Sequence, residues 1–137
     1  MQIREIMTPD VEVIRPDDTL RTAAKMMADY DVGALPIGEN DRLVGMITDR
    51  DITVRGVAQG RDPEKTTVRE AMSGRVLYCF EDDDIAEVAR KMGDWQVRRL
   101  PVLNREKRLV GIVSLGDLAI GGAKREGEEA LEDISER

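Results

Sequence analysis

The sequence predicts an α/β fold built from two copies of one unit, each running strand, helix, strand, strand, helix and related by a pseudo-two-fold axis. Three internal echoes predict it. Arg4-Glu5-Ile6-Met7-Thr8 returns as Arg69-Glu70-Ala71-Met72-Ser73, and Val32-Gly33-Ala34-Leu35-Pro36-Ile37 returns at the same spacing as Val97-Arg98-Arg99-Leu100-Pro101-Val102. After one extra residue in the second loop, Leu43-Val44-Gly45-Met46-Ile47-Thr48-Asp49-Arg50-Asp51 returns as Leu109-Val110-Gly111-Ile112-Val113-Ser114-Leu115-Gly116-Asp117. A period of this kind outranks any single motif, because each copy is one supersecondary unit that leans on its neighbour.

The first repeat spans 1–59, a linker 60–66, the second repeat 67–122 and a charged tail 123–137. Met7-Thr8-Pro9-Asp10 has turn composition and precedes an extended segment, Val11 to Arg15. Pro16-Asp17-Asp18-Thr19 is a helix start, with proline, carboxylates for the positive end of the dipole and a capping hydroxyl. Leu20, Ala23, Ala24 and Met27 then form the apolar stripe of an amphipathic helix that ends near Asp31 to Gly33. Strands over Ala34 to Ile37 and Leu43 to Thr48 flank a turn-forming loop. A second helix is expected from Asp49 through Ile52 to about Ala58. The second repeat follows suit: an extended run from Val76 to Phe80, and a helix led by Asp82-Asp83-Asp84 with Ile85, Val88, Ala89 and Met92 on one face. Strands over Leu100 to Leu103 and Leu109 to Ser114 come next, then a helix from Asp117 to Ile120, stopped by Gly121-Gly122. In the tail, Leu131 and Ile134 are spaced to dock a helix on the body; a solvated, frayed end is the other reading.

At 137 residues, each repeat alone is marginal, since a unit of about 60 residues buries only roughly 60% of its unfolded surface. The repeats are therefore expected to share a core, and neither to be stable when cut out. Aromatic residues make up 3% of the chain, so aliphatic side chains and methionine do the packing. The net charge of −7 argues against a polyanion binder, which needs a basic face to release counterions; nucleic acid is not an expected partner. Cys79 is the only cysteine, which rules out an internal disulfide, fits a reducing cytoplasm and reads as a buried, inert thiol. The chain has no histidine, the commonest general base and metal ligand. No apolar run approaches the roughly 20 residues needed to cross a bilayer. No P-loop, Gly-x-Gly-x-x-Gly, nucleophile–histidine pair or metal-ligand cluster is visible, so the expectation is a cytoplasmic non-enzyme that needs no cofactor or metal.

Thr48-x-x-Asp51 and Ser114-x-x-Asp117 stand at corresponding strand-to-helix junctions. A carboxylate there can accept hydrogen bonds from the two vicinal hydroxyls of a ribose, while the hydroxyl and the free helix amides face a phosphate. The same spacing is a capping box, which needs no ligand. The two roles are compatible if Asp51 and Asp117 point outward. Tyr30 and Trp95 occupy equivalent positions at the ends of the first helices; either could stack on adenine, and closing a core or a dimer interface is the simpler role.

The Leu-Pro-Ile/Val strand and the Gly-h-h-Thr/Ser-x-x-Asp junction (h, apolar), present twice in register, resemble the CBS domain. Two in tandem resemble a CBS pair, or Bateman module, over roughly residues 3 to 122. The style is that of small stand-alone bacterial CBS proteins of the hypoxic response type. The resemblance implies a compact CBS pair acting as a sensor for adenosine-containing ligands (AMP, ADP, ATP, S-adenosylmethionine or NAD), an adenine nucleotide above all. It also implies a homodimer and an unknown regulated protein on another chain, with a ligand-free scaffold for dimerisation or docking as the alternative. In such pairs each cleft is composite. Carried over, Asp51 and Thr48 face Leu77, Tyr78, Arg98 and Arg99, whereas Asp117 and Ser114 face Val11, Val13, Gly33 and Ala34; Pro36 and Pro101 complete the adenine pockets. Arg98, Arg99 and Arg50 are the expected phosphate ligands, through planar forked donors. On this reading the Asp51 cleft selects phosphate, and the Asp117 cleft, where Gly116 replaces Arg50, takes a neutral or larger group or stays empty.

Overall fold

After a 3₁₀ turn at Ile3–Glu5, the chain forms a two-residue strand β1 (Thr8–Pro9) and helix α1 (Leu20–Tyr30). Strands β2 (Ala34–Glu39) and β3 (Arg42–Thr48) lead into the one-turn helix α2 (Asp49–Asp51). A π turn (Ile52–Gly56), a 3₁₀ turn (Val57–Gln59) and the short helix α3 (Val68–Ala71) follow. Strand β4 (Cys79–Phe80), helix α4 (Ile85–Trp95), strands β5 (Arg99–Leu103) and β6 (Leu109–Ser114) and helix α5 (Leu115–Ile120) complete the order. This is a computed structural model, and it describes residues 1–121. The tail 123–137, with Leu131 and Ile134, lies outside the described residues.

The chain divides into two compact units that cut across the sequence repeats. One consists of Glu12–Val76; the other combines Met1–Val11 with the chain from Leu77 on. Each repeat therefore gives its opening motif to the other repeat's body. Each unit has its own core, and each core draws residues from both repeats, as the length argument predicts.

In the Glu12–Val76 unit, Ile14, Leu20, Ala23, Met27, Leu35, Ile37, Ile47, Val68 and Ala71 are buried together. Val68 and Ala71 come from the second repeat's opening motif, which is fastened by backbone bonds from Val68 N–H to the Asp18 carbonyl (2.8 Å) and from Arg69 N–H to the Pro16 carbonyl (2.9 Å). The linker is fastened too: Leu20 N–H donates to the Thr66 carbonyl at 2.9 Å, and Thr66 is buried. Helix α1 is capped by Thr19 Oγ1, which accepts from Thr22 N–H at 3.2 Å, and ends at Asp31 in the left-handed region. Its buried stripe is Leu20, Ala23 and Met27 with Met26 at the edge; Ala24, expected in the stripe, is exposed. Strands β2 and β3 pair antiparallel around Asn40 and Asp41, whose φ values of 53° and 62° give the mirror-image turn that matches strand twist. The segment expected to be extended, Val11 to Arg15, makes only an isolated bridge from Ile14 to Ile37.

In the other unit, Ile3 joins Cys79, Ile85, Val88, Ala89, Met92, Leu100, Val102, Val113, Leu115 and Leu118 in the core. Ile3 N–H donates to the Asp83 carbonyl (3.0 Å) and Arg4 N–H to the Glu81 carbonyl (2.8 Å). The sheet order is β1-β6-β5-β4. Thr8 and Pro9, expected as a turn, instead pair antiparallel with Ile112 and Gly111. Their partner lies at the far end of the chain, where no local pattern points. Burial and the nearby Asp83 charge push the Cys79 thiol up to about 12. At the turn between β5 and β6, the Arg105 guanidinium lies 4.2 Å over the Phe80 ring and 2.7 Å from Asp82 Oδ1. Its hydrogen bond holds the Asp82 carboxyl below the usual carboxylate range. Trp95 packs at the edge of this core, while Tyr30, its counterpart in the other unit, is exposed.

Candidate functional site

Strand β3 ends at Thr48 in an extended conformation, and the chain then turns directly into α2. Thr48 Oγ1 accepts from Asp51 N–H at 3.1 Å, and Asp51 Oδ2 accepts from Thr48 N–H at 2.9 Å. This reciprocal capping box satisfies two amides that would otherwise lack partners. Both residues are half-buried. Asp51 Oδ1 makes no hydrogen bond among the described residues.

Strand β6 ends the same way. Ser114 Oγ accepts from Asp117 N–H at 3.1 Å, and Asp117 Oδ2 accepts from Ser114 N–H at 2.9 Å. Asp117 Oδ1 is likewise without a partner among the described residues. One oxygen of each carboxylate is spent on the cap and the other remains available, so capping and ligand binding do not compete. Helix α5 starts at Leu115, two residues earlier than expected, because Ser114 is its cap.

What flanks the two junctions differs. In the Glu12–Val76 unit, Ala34 pairs with Thr48, and Asp49 N–H donates to the Gly33 carbonyl at 2.9 Å. In the other unit the same two bonds involve arginines: Arg99 pairs with Ser114, and Leu115 N–H donates to the Arg98 carbonyl at 3.1 Å. Strand pairing thus sets Arg98 and Arg99 beside the Ser114–Asp117 junction of their own unit. Both are exposed, and their side chains have no hydrogen bond or ion pair among the described residues. Arg50 is exposed beside Asp51, and the counterpart Gly116 carries no side chain.

The remaining expected residues are distributed between the units. Gly33 and Leu77 are half-buried, Ala34, Pro36 and Pro101 are buried, and Val13 is exposed. Val11 is half-buried and belongs to the unit that holds Ser114 and Asp117. Tyr78 is half-buried, with its ring edge-on to Phe80 at 5.6 Å between centroids. The buried prolines supply packing and a defined strand rather than free surface.

Sequence reasoning passed over one residue, Asp49. The signal was visible, since the corresponding position in the other repeat is Leu115, an apolar residue. Leu115 is buried in its unit's core, whereas Asp49 is exposed. Asp49 Oδ1 accepts from Arg50 N–H at 2.8 Å, and Oδ2 lies 3.1 Å from where a Cβ on Gly33 would stand. Beyond Asp51 the helix widens into the π turn, and Val57 N–H is shared between the Ile52 and Thr53 carbonyls. The second helix, expected to run unbroken to about Ala58, thus changes hydrogen-bond register twice. At its bend Gly56 is buried, with Leu20 Cδ1 2.8 Å from where a Cβ would stand.

Among the described residues, no three Asp, Glu, Cys or His side chains gather as a metal-ligand set, and no helix is long and apolar enough to cross a membrane.

The CBS domain family model matches residues 3–55 and again 68–120. Hypoxic response protein 1 of Mycobacterium tuberculosis is 44% identical over 117 residues, 85% of this chain and 81% of that protein. A crystal structure of Hypoxic Response Protein I with two coordinated zinc ions has a TM-score of 0.80 and 42% identity, covering 88% of this chain and 98% of that one. This chain has no histidine, and its one cysteine is buried. The CBS domain pair of protein MJ0100, solved with 5′-methylthioadenosine and S-adenosylmethionine, is 29% identical with a TM-score of 0.79, covering 90% of this chain and 98% of that one. With two repeats matched across nearly all of the described residues, this chain belongs to the CBS domain family.

Proposed function

We propose that this chain is a non-enzymatic sensor that binds adenosine-containing ligands (AMP, ADP, ATP, S-adenosylmethionine or NAD) at its two strand-to-helix junctions and acts as a homodimer on a protein encoded elsewhere. One observation carries the reading: both units present an aspartate with one oxygen fixed in the cap and the other unpartnered. An oxygen held this way is preorganised to accept a ribose hydroxyl, a charge-assisted bond worth about 1.5–3 kcal/mol. Adenosine compounds bound to the MJ0100 pair support the ligand class.

Phosphate recognition is assigned to Arg98, Arg99 and Arg50, exposed cations whose side chains have no hydrogen bond or ion pair among the described residues. A bound ligand shifts a conformational or assembly equilibrium by its differential affinity for the two states. The scaffold reading draws on exposed Val54 and Val57.

Thermal melting against AMP, ATP, NAD and S-adenosylmethionine, on protein freed of co-purified nucleotide, tests the proposal. A ligand at about 100 times its Kd should add roughly 2.7 kcal/mol of stability. Asp51→Ala should remove the AMP and ATP shifts, Asp117→Ala should reduce them less, and the two together should remove all of the shifts. Wild-type protein that shows no shift with any adenosine compound overturns the proposal in favour of the scaffold.

A further inference from the structure

The unit that holds Cys79 and the chain beyond it is completed by Met1–Val11, whereas Glu12–Val76 makes up the other unit. Inside its unit this first segment is tightly held. Ile3 is fully buried, its N–H donates to the Asp83 carbonyl at 3.0 Å, and Ile85 N–H donates to the Met1 carbonyl at 3.1 Å. Two glycines shape the groove that receives it. A Cβ on Gly111 would stand 2.7 Å from the Thr8 carbonyl oxygen, and one on Gly121 would stand 2.5 Å from Ile6 Cγ2. The first repeat has Arg55 where the second has Gly121, so this cut-out belongs to one unit only. None of these bonds requires the segment to come from the same chain.

The connection is where strain collects. Asp10 has a φ of 55°, in the left-handed region that glycine takes freely and other residues take at a cost. Of the other non-glycine residues in this conformation among those described, Asp31 and Gln96 end helices, and Asn40, Asp41 and Lys107 lie in the turns of strand hairpins. Asp10 alone stands where the chain is about to pass from one unit to the other.

We propose that Met1–Val11 is an exchangeable segment: two copies of this chain trade it, and each lends Ile3 and β1 to the groove of the other. Every bond of the closed chain recurs in the exchanged pair, and Asp10 is released to an extended conformation. Short hinges under strain favour such exchange. The occupant is a second copy because the groove is cut to this segment's own residues. The segment's echo within the chain is already engaged, with Val68 and Ala71 buried in the other core. The proposal deepens the homodimer of the reading above by giving its mode of assembly, and it holds whichever ligand binds.

The test uses the full chain with Thr8→Cys and Ile112→Cys, at facing positions of β1 and β6. Copies with and without a heavy-isotope label are unfolded in urea, mixed in equal amounts, refolded at high concentration, oxidised and separated by size. Mass spectrometry then reads the disulfide-linked peptides that carry these two positions. Exchange predicts that about half of those from the dimer join a labelled to an unlabelled strand, and that none from the monomer do. A dimer whose linked peptides are all uniform in label overturns the exchange and leaves the homodimer standing. A chain that stays monomeric at every concentration overturns both. Hinge variants of the otherwise unaltered chain check the cause without new cysteines. Asp10→Gly adopts the closed conformation freely and should lower the dimerisation constant about tenfold. Asp10→Pro, with φ fixed at about −65°, should raise it by a similar factor. Light scattering over a concentration series reads both, and equal constants for the three chains overturn the proposal.

Discussion

Thr48 with Asp51 and Ser114 with Asp117 close the same hydrogen-bonded loop with distances matching to 0.1 Å, yet their neighbours share almost nothing. In one unit the flanking strand starts with Gly33 and Ala34 and the helix with Asp49 and Arg50. In the other the strand residues are Arg98 and Arg99, and the helix opens with Leu115 and Gly116. The comparison separates two kinds of information. The cap is a backbone requirement, so both copies keep it whatever they bind. Of the flanking side chains only those of Leu115 and Ala34 are buried; Gly33 is half-buried and carries no side chain, and Arg50, Arg98 and Arg99 are exposed, so the fold holds these positions less tightly than the cap.

The units also differ in how they hold their opening motifs, and three experiments can break or sharpen that difference. The largest effect is expected from Ile3→Ala. Ile3 is fully buried in a core otherwise made of residues from Cys79 onward, so its truncation should cost about 2–5 kcal/mol. Urea unfolding followed by fluorescence of Trp95, the sole tryptophan, measures it in the right unit. A loss below about 1 kcal/mol would show that the N-terminal segment is an accessory there. Val68→Ala, its counterpart in the other unit, removes a smaller side chain and should cost less.

Next come the paired glycines Gly45 and Gly111. A Cβ on Gly111 would stand 2.7 Å from the Thr8 carbonyl oxygen and from Met7 Sδ, where β1 crosses β6. The carbonyl belongs to backbone and cannot swing aside, so Gly111→Ala should cost about 1–3 kcal/mol. A Cβ on Gly45 meets Met72 Sδ at 3.4 Å and the Ser73 oxygen at 3.7 Å, ordinary contacts. Gly45→Ala should therefore stay within about 1 kcal/mol of wild type, helped by a less flexible unfolded chain. Equal costs would mean that the two opening motifs are held alike.

The smallest effect concerns Cys79, present in one unit only. With its thiol pushed up to about 12, it should resist a disulfide reagent at pH 8 until that unit opens. The folded thiol binds its proton more tightly than the unfolded one. Its contribution to stability is therefore complete below the ordinary thiol range of about 8.5 and is lost as pH rises toward 12. Labelling at the rate of a free thiol would place Cys79 at the surface.

Much of this was legible in the sequence. Strands β2, β3, β5 and β6 and helices α1 and α4 follow from period and turn chemistry, because each is specified by residues within a few positions. The caps at Thr48 and Ser114 were legible for the same reason. Pairing between distant segments was not. Nothing near Thr8 or Pro9 announces a partner at Ile112, and nothing in the linker announces that Thr66 is buried. The placement of Arg98 and Arg99 beside Ser114 depends on strand register, which the motif alone did not supply. Asp49 was overlooked because it reads as an ordinary acidic residue at a helix start, and becomes notable only against the buried Leu115.

The exchanged opening motifs also set an order of events during synthesis. Residues Glu12–Val76 are contiguous, so that unit has its entire core once Val68 and Ala71 have left the ribosome. The other unit needs the first strand of the chain and one of the last, since Thr8 pairs with Ile112. At about 5–20 residues per second the N-terminal segment waits roughly 5–20 s for its partner. For that interval Ile3 and Met7 are apolar residues beside a strand that has no partner, and this segment is open to non-native pairing until β6 arrives.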